Sequence, residues 1–352
     1  MPAEANTRVV LKRYAPNDVH STSFFMVDTS QSVPDATLLT KGQVLVQMSA
    51  ISIDPHLRRL IEELPANTPD DANLPTPFVF PLDHPISSIG VGKVVASASS
   101  RFQTGDHIRA EQFPWEKYAV FSDNAITPIP NSSRPLADYV GVLGMASFTA
   151  YLGLVGTGAP TAGETLLVSA ASGAVGQIVV QLGKARGLRV IGVVGSDEKA
   201  AYVKDIGADS VLNYKTCGDY ARAIRMLAPN GVDIYFDNVG GELLDAALLS
   251  LNTHARVIIC GSMATYSTNK ANAPGVKNLD TVITKEVTLK SIYYLPHLGT
   301  KIEDEFVQEM SQLVHQDKIR FKVDARDGLE SAPQALVDLF TGANFGKLIV
   351  KA

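Results

Sequence analysis

Residues 165–176 read Thr-Leu-Leu-Val-Ser-Ala-Ala-Ser-Gly-Ala-Val-Gly, and this stretch decides the fold. The apolar start predicts a buried strand over Thr165–Ser169, and the small residues after it lead into a helix predicted over Val175–Arg186. Gly173 would let the backbone approach a pyrophosphate, and Gly176 would let the helix pack closely on the strand. A helix N-terminus offers N–H groups and positive potential, so Gly173, Ala174, Val175 and Gly176 are predicted to bind phosphate.

The match to the dinucleotide-binding pattern G-x-G-x-x-G is incomplete, because Ala171 replaces the first glycine. A tight turn between strand and helix that binds no ligand therefore stays an alternative for this stretch taken alone.

The residues that follow alternate between short apolar strands and helices. Strands are predicted over Arg189–Val194, Ser210–Asn213, Val232–Asp237 and Arg256–Cys260, with helices over Glu198–Ile206, Asp219–Ala228 and Gly241–Leu251. Continuous apolar strands separated by helices indicate an α/β fold with a doubly wound parallel sheet.

The chain before this region is typical of short strands and turns, with runs at Val44–Met48, Val91–Ala98 and Ile108–Ala110. Residues 64–85 contain six prolines and are predicted to form a long surface loop. We therefore predict a β-rich domain over 1–130, a nucleotide-binding domain over 131–318, and a strand-rich return to the first domain over 319–352.

The end of the second predicted strand bears on the choice of cofactor. NAD-binding domains usually place a carboxylate there for the adenosine ribose, whereas this chain has Gly195 and Ser196, with Lys199 close behind. A hydroxyl and an ammonium would accept the 2′-phosphate of NADPH. In the alternative interpretation, Ser196 caps the next helix and Lys199 is a solvated surface charge; capping and phosphate binding are compatible.

Composition excludes several classes of partner. The formal net charge of −5 argues against a general nucleic-acid or anionic-membrane binder, and no apolar run approaches the roughly 18 residues of a membrane span. The first residues lack the pattern of a secretory signal. The two cysteines, Cys217 and Cys260, have no paired spacing and are predicted to be free thiols in the reducing cytoplasm.

The same two cysteines bear on metal chemistry. A catalytic zinc of the alcohol-dehydrogenase kind needs two cysteines and a histidine at suitable spacing, but both cysteines fall within the predicted nucleotide-binding domain. His84 is followed by Pro85 and lacks the Gly-His-Glu arrangement. The sequence also has no Gly-x-Ser-x-Gly, Walker or His-Glu-x-x-His pattern. We therefore predict that the protein works without zinc.

Beyond these patterns, the chain resembles the zinc-independent medium-chain dehydrogenase/reductases, in the branch of the prostaglandin reductases and alkenal double-bond reductases. The resemblance covers nearly the whole chain and rests on several stretches besides the phosphate loop: Ser52–Arg58, Thr149–Tyr151, Gly195–Lys199, Asn213–Lys215, Tyr235–Gly241, Cys260–Tyr266 and Asn344–Lys351. It implies a GroES-like β-rich domain, discontinuous in sequence, beside a Rossmann domain, with nicotinamide and substrate in the cleft between them. It also implies a homodimer.

The resemblance further implies roles for individual residues. Lys199 and Tyr214 would contact the 2′-phosphate of NADPH, and Tyr266 would approach the substrate oxygen. The remaining residues expected to line the cofactor are Asn238, Cys260, Gly261, Ser262 and Asn344. As alternatives, Tyr214 and Tyr266 could be packing tyrosines and Asn238 a turn residue.

Two stretches depart from the family pattern. The family often has Asp-Pro-Tyr-Met-Arg where this chain has Asp54-Pro-His56-Leu-Arg58, and Met-Pro-Gly where this chain has Met145-Ala-Ser147. Asp54, His56, Arg58 and Tyr293 are the candidates for the substrate pocket. His56 could donate a hydrogen bond there or could simply face solvent.

The sequence thus predicts an NADPH-dependent reductase that acts on small enals or enones and transfers a hydride to the β-carbon. A quinone reductase on the same scaffold is the first alternative. The second alternative is an NADPH-binding protein with a structural or regulatory role and negligible catalysis.

Overall fold

The computed structural model describes residues 5–17, 19–63, 79–129, 134–268, 272–273 and 275–352, so most of the predicted proline-rich loop at 64–85 lies outside the described residues. The chain divides into two compact units. The first unit comprises Met1–Gly141, Val323–Asn344 and Leu348–Ala352, and the second comprises Val142–Lys322 and Phe345–Lys347.

The described part of the first 130 residues is rich in strands, joined by turns and short 3-10 helices such as Pro55–Ile61. The strands are β1 (Arg8–Leu11), β2 (Phe25–Asp28), β3 (Gln43–Ser52), β4 (Ser87–Ser97), β5 (His107–Pro114), β6 (Tyr118–Ser122) and β7 (Ile126–Ile129).

The middle of the chain alternates helices and strands. In order, these are α1 (Met145–Tyr151), β8 (Thr165–Val168), α2 (Gly176–Ala185), β9 (Arg189–Val194), α3 (Asp197–Asp205), β10 (Ser210–Asn213), α4 (Tyr220–Leu227), β11 (Val232–Asp237), α5 (Gly241–Leu248), β12 (Leu251–Ile259), α6 (Asp280–Thr284), β13 (Thr288–Ser291) and α7 (Lys301–His315). A π-helical segment, Leu152–Gly158, continues α1. The chain closes with β14 (Val323–Asp327), α8 (Ala332–Thr341) and β15 (Lys347–Lys351).

The first unit is built on an antiparallel sheet with strand order β14-β15-β3-β4-β5-β7, and β6 pairs with β3. Its core surrounds Trp115, which is fully buried and donates a hydrogen bond from Nε1 to the Ser88 hydroxyl at 3.0 Å. A buried indole N–H needs such a partner, because leaving it unpaired would cost about 1–3 kcal/mol.

The second unit is built on a six-stranded sheet with order β10-β9-β8-β11-β12-β13, and every adjacent pair is parallel. The chain moves outward from β8 through β9 to β10, then returns to the other side of β8 at β11. This reversal makes a topological switch point between β8 and β11, where sheets of this kind bind their ligands at the carboxyl ends of the strands.

Side-chain patterning explains why this sheet has helices on both faces. Successive strand residues point to opposite faces. In β8, Leu166 and Val168 join one core cluster while Leu167 joins another, and all three are fully buried. Strands buried on both faces need apolar cover on both, which the helices supply.

The structure confirms the predicted α/β fold class, with a β-rich part and a doubly wound parallel sheet. Some details of the sequence prediction were wrong. The strand predicted over Arg256–Cys260 spans Leu251–Ile259. The last 34 residues are not mainly strand, because α8 buries Ala332, Ala335 and Leu336 at helical spacing. The helix predicted over Gly241–Leu251 ends at Leu248, because Leu251 already pairs with Val232 in the sheet.

Candidate functional site

The candidate site lies at the carboxyl ends of the strands of the second unit. Three loops meet near the switch point: the loop after β8, from Ser169 to Gly176; the loop that starts at Asn238 after β11; and the loop that starts at Cys260 after β12. Each contains residues that the sequence predicted to bind the cofactor.

The loop after β8 is as compact as the phosphate-loop pattern requires. A side chain at Gly176 would place its Cβ 2.3 Å from the Ala170 carbonyl oxygen, which is backbone and cannot move aside. Ala171, which replaces the first glycine of the pattern, is fully buried. The positive φ instead falls on Ala170, at 48°, a conformation that L-residues adopt at some cost. The loop therefore makes its tight turn without the first glycine of the G-x-G-x-x-G pattern.

Ser196 caps α3, as the alternative interpretation of the sequence expected. Its Oγ accepts a hydrogen bond from the Lys199 N–H at 3.2 Å at the N-terminus of α3. A hydroxyl oxygen has a second lone pair and its own proton, so capping leaves Ser196 able to contact a phosphate. The Lys199 side chain is only partly exposed and lies on the first turn of the same helix.

Tyr214 lies against the end of β9. A Cβ built on Gly195 would fall 2.8 Å from the Tyr214 hydroxyl oxygen and 3.0 Å from the ring carbon that bears it. The phenol ring therefore occupies the space that a side chain at position 195 would need. Tyr214 as a residue is 41% exposed, so it is not a core tyrosine. Ser196, Lys199 and Tyr214 thus gather at one corner of the sheet.

Asn213, the last residue of β10, was missed by sequence reasoning. Its side-chain Nδ2 donates to Asp197 Oδ1 at 2.8 Å, and its Oδ1 accepts from the Lys215 N–H at 3.1 Å. Asp197 and Glu198 are the two carboxylates that directly follow Ser196 in sequence. The bond to Asn213 gives the Asp197 carboxylate a fixed partner. The only sequence signal was the place of Asn213 beside Tyr214 in the stretch Asn213–Lys215.

Asn238 binds the start of the phosphate loop. Its backbone N–H donates to the Ser169 hydroxyl oxygen at 2.7 Å, and its side-chain Nδ2 donates to the Ser169 carbonyl oxygen, also at 2.7 Å. Asn238 is therefore more than a turn residue, because it links the ends of β8 and β11 at the switch point.

The loop after β12 is attached to the loop after β11 by backbone hydrogen bonds. The Cys260 and Gly261 N–H groups donate to the Asp237 carbonyl oxygen at 2.8 and 3.1 Å, and the Met263 N–H donates to the Asn238 carbonyl oxygen at 3.2 Å. Ser262 and Tyr266 lie on this attached segment, and Tyr266 is partly exposed. Burial, helped by the Asp237 charge, raises the pKa of the Cys260 thiol to about 12.

Tyr293 comes two residues after β13, the strand that pairs with β12. It therefore lies at the same edge of the sheet as Cys260 and Gly261. Its side chain is 62% exposed and packs edge-on against Tyr294, with ring centres 6.2 Å apart.

The other four predicted site residues belong to the first unit: Asp54, His56, Arg58 and Asn344. Asp54 is buried and accepts a hydrogen bond from the Ser52 hydroxyl. Arg58 is 2% exposed, and its guanidinium donates to the Pro16 carbonyl oxygen at 2.6 Å and to Glu62 at 2.9 Å. These contacts favour a structural role for Arg58. His56 is exposed and Asn344 partly exposed.

The described part of the chain brings together no group of three His, Cys, Asp or Glu side chains that could hold a metal ion. Cys217 follows β10 and Cys260 follows β12, so the thiols belong to different loops of the second unit. These donor residues do not fit a zinc site of the alcohol-dehydrogenase kind, which needs three protein ligands around one ion. Among the helices that the structure describes, none is both long and apolar enough to cross a membrane.

Comparison with known proteins now adds to this geometry. Residues 8–129 match the family described as the N-terminal domain of oxidoreductase, and residues 174–315 match the zinc-binding dehydrogenase family. The chain is 39% identical to a zinc-type alcohol dehydrogenase-like protein of Schizosaccharomyces pombe, over 99% of this chain and 98% of the relative. It is 34% identical to the NADP(+)-dependent 2-alkenal reductase of Nicotiana tabacum, over 98% and 97% respectively.

Among solved structures, CurA of Vibrio vulnificus in complex with NADPH is similar with a TM-score of 0.84 and 30% identity, covering 98% of this chain and 99% of that one. The similarity is therefore to whole proteins rather than to a shared nucleotide-binding domain.

Proposed function

Because this chain belongs to the medium-chain dehydrogenase/reductase family, in the branch of the prostaglandin and alkenal reductases, and has NADPH as its cofactor, we propose that it reduces a carbon–carbon double bond conjugated to a carbonyl group. The proposed substrates are small α,β-unsaturated aldehydes or ketones, reduced by hydride transfer to the β-carbon. The observation that carries the proposal is the meeting of three loops at the switch point. The loop after β8 is the predicted phosphate loop, and the loop after β12 contains Tyr266.

The residues of this site fit the cofactor along its length. Gly173–Gly176 would hold the pyrophosphate at the N-terminus of α2, while Ser196, Lys199 and Tyr214 would hold the 2′-phosphate beside β9. The nicotinamide half then falls on the other side of β8, where Asn238 and Cys260–Ser262 lie, with Asn344 as a further proposed contact. When bound, NADPH supplies the hydride.

On the substrate side, we propose that the Tyr266 hydroxyl donates a hydrogen bond to the carbonyl oxygen. Asp54, His56, Arg58 and Tyr293 remain candidates for the substrate pocket, and the contacts of Arg58 make it the weakest of the four. A homodimer in the cytoplasm is part of the same proposal.

A substrate panel tests this function. With NADPH in excess, its absorbance is followed while short enals, cyclic and open-chain enones, and quinones are added in turn. We expect enals and enones to give saturated carbonyl products, identified by mass. Turnover of quinones alone would favour the quinone reductase instead. Tight NADPH binding with no turnover on any compound would favour a protein with a structural or regulatory role.

We further propose that the reaction needs no zinc, and we expect activity to survive exhaustive dialysis against a strong chelator. The reason is that Cys217 and Cys260, the only cysteines, lie in different loops and cannot supply the two thiolates of a zinc site of the alcohol-dehydrogenase kind. Metal content is measured by mass spectrometry on the same samples. Stoichiometric zinc in the purified protein, with activity lost on its removal and regained on its return, would refute the proposal.

A further inference from the structure

A buried polar network lies directly beneath the three loops of the site. The Asp237 side chain is 1% exposed, and its Oδ1 accepts hydrogen bonds from four donors. These are the Tyr235 hydroxyl at 2.7 Å, the Gly240 N–H at 2.9 Å, the Val239 N–H at 3.0 Å and the Ser169 hydroxyl at 3.2 Å. The carboxylate therefore holds donors from β11, from the loop after β11 and from the loop after β8.

The network extends through the hydroxyl and the carbonyl oxygen of Ser169. The Ser169 hydroxyl donates to Asp237 while accepting the Asn238 N–H at 2.7 Å, and the Ser169 carbonyl oxygen accepts from the Asn238 side chain. Ser169 is the residue that begins the phosphate loop, immediately after β8. Asp237 therefore connects the loop after β8 to the loop after β11 across the switch point.

The third loop joins through the backbone of the same residue. The Asp237 carbonyl oxygen accepts the N–H groups of Cys260 and Gly261. One residue thus holds all three loops, its side chain holding two and its carbonyl the third. Burial raises the pKa of the Asp237 carboxyl above its ordinary value, and the hydrogen bonds from Gly240 and Tyr235 oppose this rise.

We infer that Asp237 is a positioning residue, which acts with Ser169 to fix the three loops around the nicotinamide half of the cofactor. The strand order supports this division of the cofactor into halves. In the proposed placement the adenosine end lies beside β9 and β10, on one side of β8, whereas Asp237 lies on the other side, at the end of β11. Loss of the network should therefore affect one half of the cofactor and spare the other.

The experiment compares Asp237→Asn and Ser169→Ala with the unaltered protein. Affinities are measured by titration for NADPH and for 2′,5′-ADP, which carries the adenosine half alone. We expect the dissociation constant for NADPH to rise at least about fivefold, because loose loops must be ordered on binding. The dissociation constant for 2′,5′-ADP should stay within about twofold. Turnover should fall at least about tenfold, because reacting atoms must be held close to their productive geometry.

Ser250→Ala is the matched control. Ser250 is also a buried serine beside a strand of this sheet, but it precedes β12 and so lies at the opposite, amino-terminal edge. We expect both affinities to stay unchanged in that variant. If NADPH and 2′,5′-ADP weaken by the same factor in Asp237→Asn and Ser169→Ala, the network acts on the whole fold and the inference is wrong. Unchanged binding of both ligands would also overturn it.

The inference rests on the proposed function for the placement of the nicotinamide half and for the measurement of turnover. The two binding measurements need no substrate, so they remain informative if the enzyme proves to reduce a different class of compound. Should Asp237→Asn fail to fold, Ser169→Ala removes one hydroxyl and leaves the carboxylate its other three donors, and the same comparison of ligands decides.

Discussion

Replacing Tyr266 by phenylalanine is expected to lower turnover on enones by at least about tenfold while NADPH affinity changes little. Addition of a hydride to the β-carbon leaves negative charge on the carbonyl oxygen of the substrate, and something must stabilise that charge. A tyrosine hydroxyl, with a reference pKa of about 10, keeps its proton at pH 7 and can donate it in a hydrogen bond. Loss of one such donor typically lowers turnover by about 100- to 1000-fold, and less where a second donor compensates.

The position of Tyr266 supports this role. Its loop is fastened at both Asp237 and Asn238 by backbone hydrogen bonds, at the edge of the sheet where ligands bind. Turnover should be measured where hydride transfer shows a primary isotope effect with deuterated NADPH, so that the chemical step is observed. Tyr118→Phe, a tyrosine on β6 of the first unit, serves as the control and should keep full activity. Full turnover in Tyr266→Phe under those conditions would remove Tyr266 from the mechanism.

Lys199→Ala is expected to weaken NADPH binding by about 10- to 150-fold and to leave NADH binding nearly unchanged. A hydrogen bond to a charged group contributes about 1.5–3 kcal/mol, and each 1.4 kcal/mol is a factor of ten in affinity. NADH lacks the 2′-phosphate and so has nothing for the ammonium to bind. Lys199 lies on the first turn of α3, beside the Ser196 cap, and Tyr214 lies against the neighbouring Gly195.

Lys204→Ala on the same helix provides the matched control, since Lys204 is exposed in the last turn and far along the helix from Ser196. Both affinities should be followed by cofactor fluorescence at several salt concentrations. The NADPH affinity of the unaltered protein should fall as salt rises, and this dependence should be weaker in Lys199→Ala. An equal loss of NADPH and NADH affinity would show that Lys199 supports the fold instead.

The parallel sheet could be predicted from the sequence because each strand carries its own signal. The run from Thr165 to Val168 is apolar throughout, and small residues follow it, so both the strand and the turn into the helix are local features. Strands β9, β10 and β11 were predicted with the bounds that the structure has. In contrast, α8 was missed. It lies between two strands, β14 and β15, and the helical spacing of its apolar residues was not recognised.

The network under the site could not be predicted, because it depends on which strands are neighbours. Ser169 and Asp237 are 68 residues apart in sequence, and they meet only because β8 and β11 pair at the switch point. The bond between Asn213 and Asp197 likewise needs β10 to lie beside β9. The sequence can suggest which residues would touch the cofactor, but it cannot show which residues hold them in place.

The raised pKa of the Cys260 thiol has a consequence for how long such an enzyme can work. Enals and enones are electrophiles, and they alkylate cysteines through the thiolate rather than the thiol. With its pKa raised to about 12 by burial, the Cys260 side chain is present almost entirely as the thiol at pH 7. The pKa of the Cys217 thiol is also raised, chiefly by burial. We therefore expect both thiols to react slowly with the enals and enones proposed as substrates.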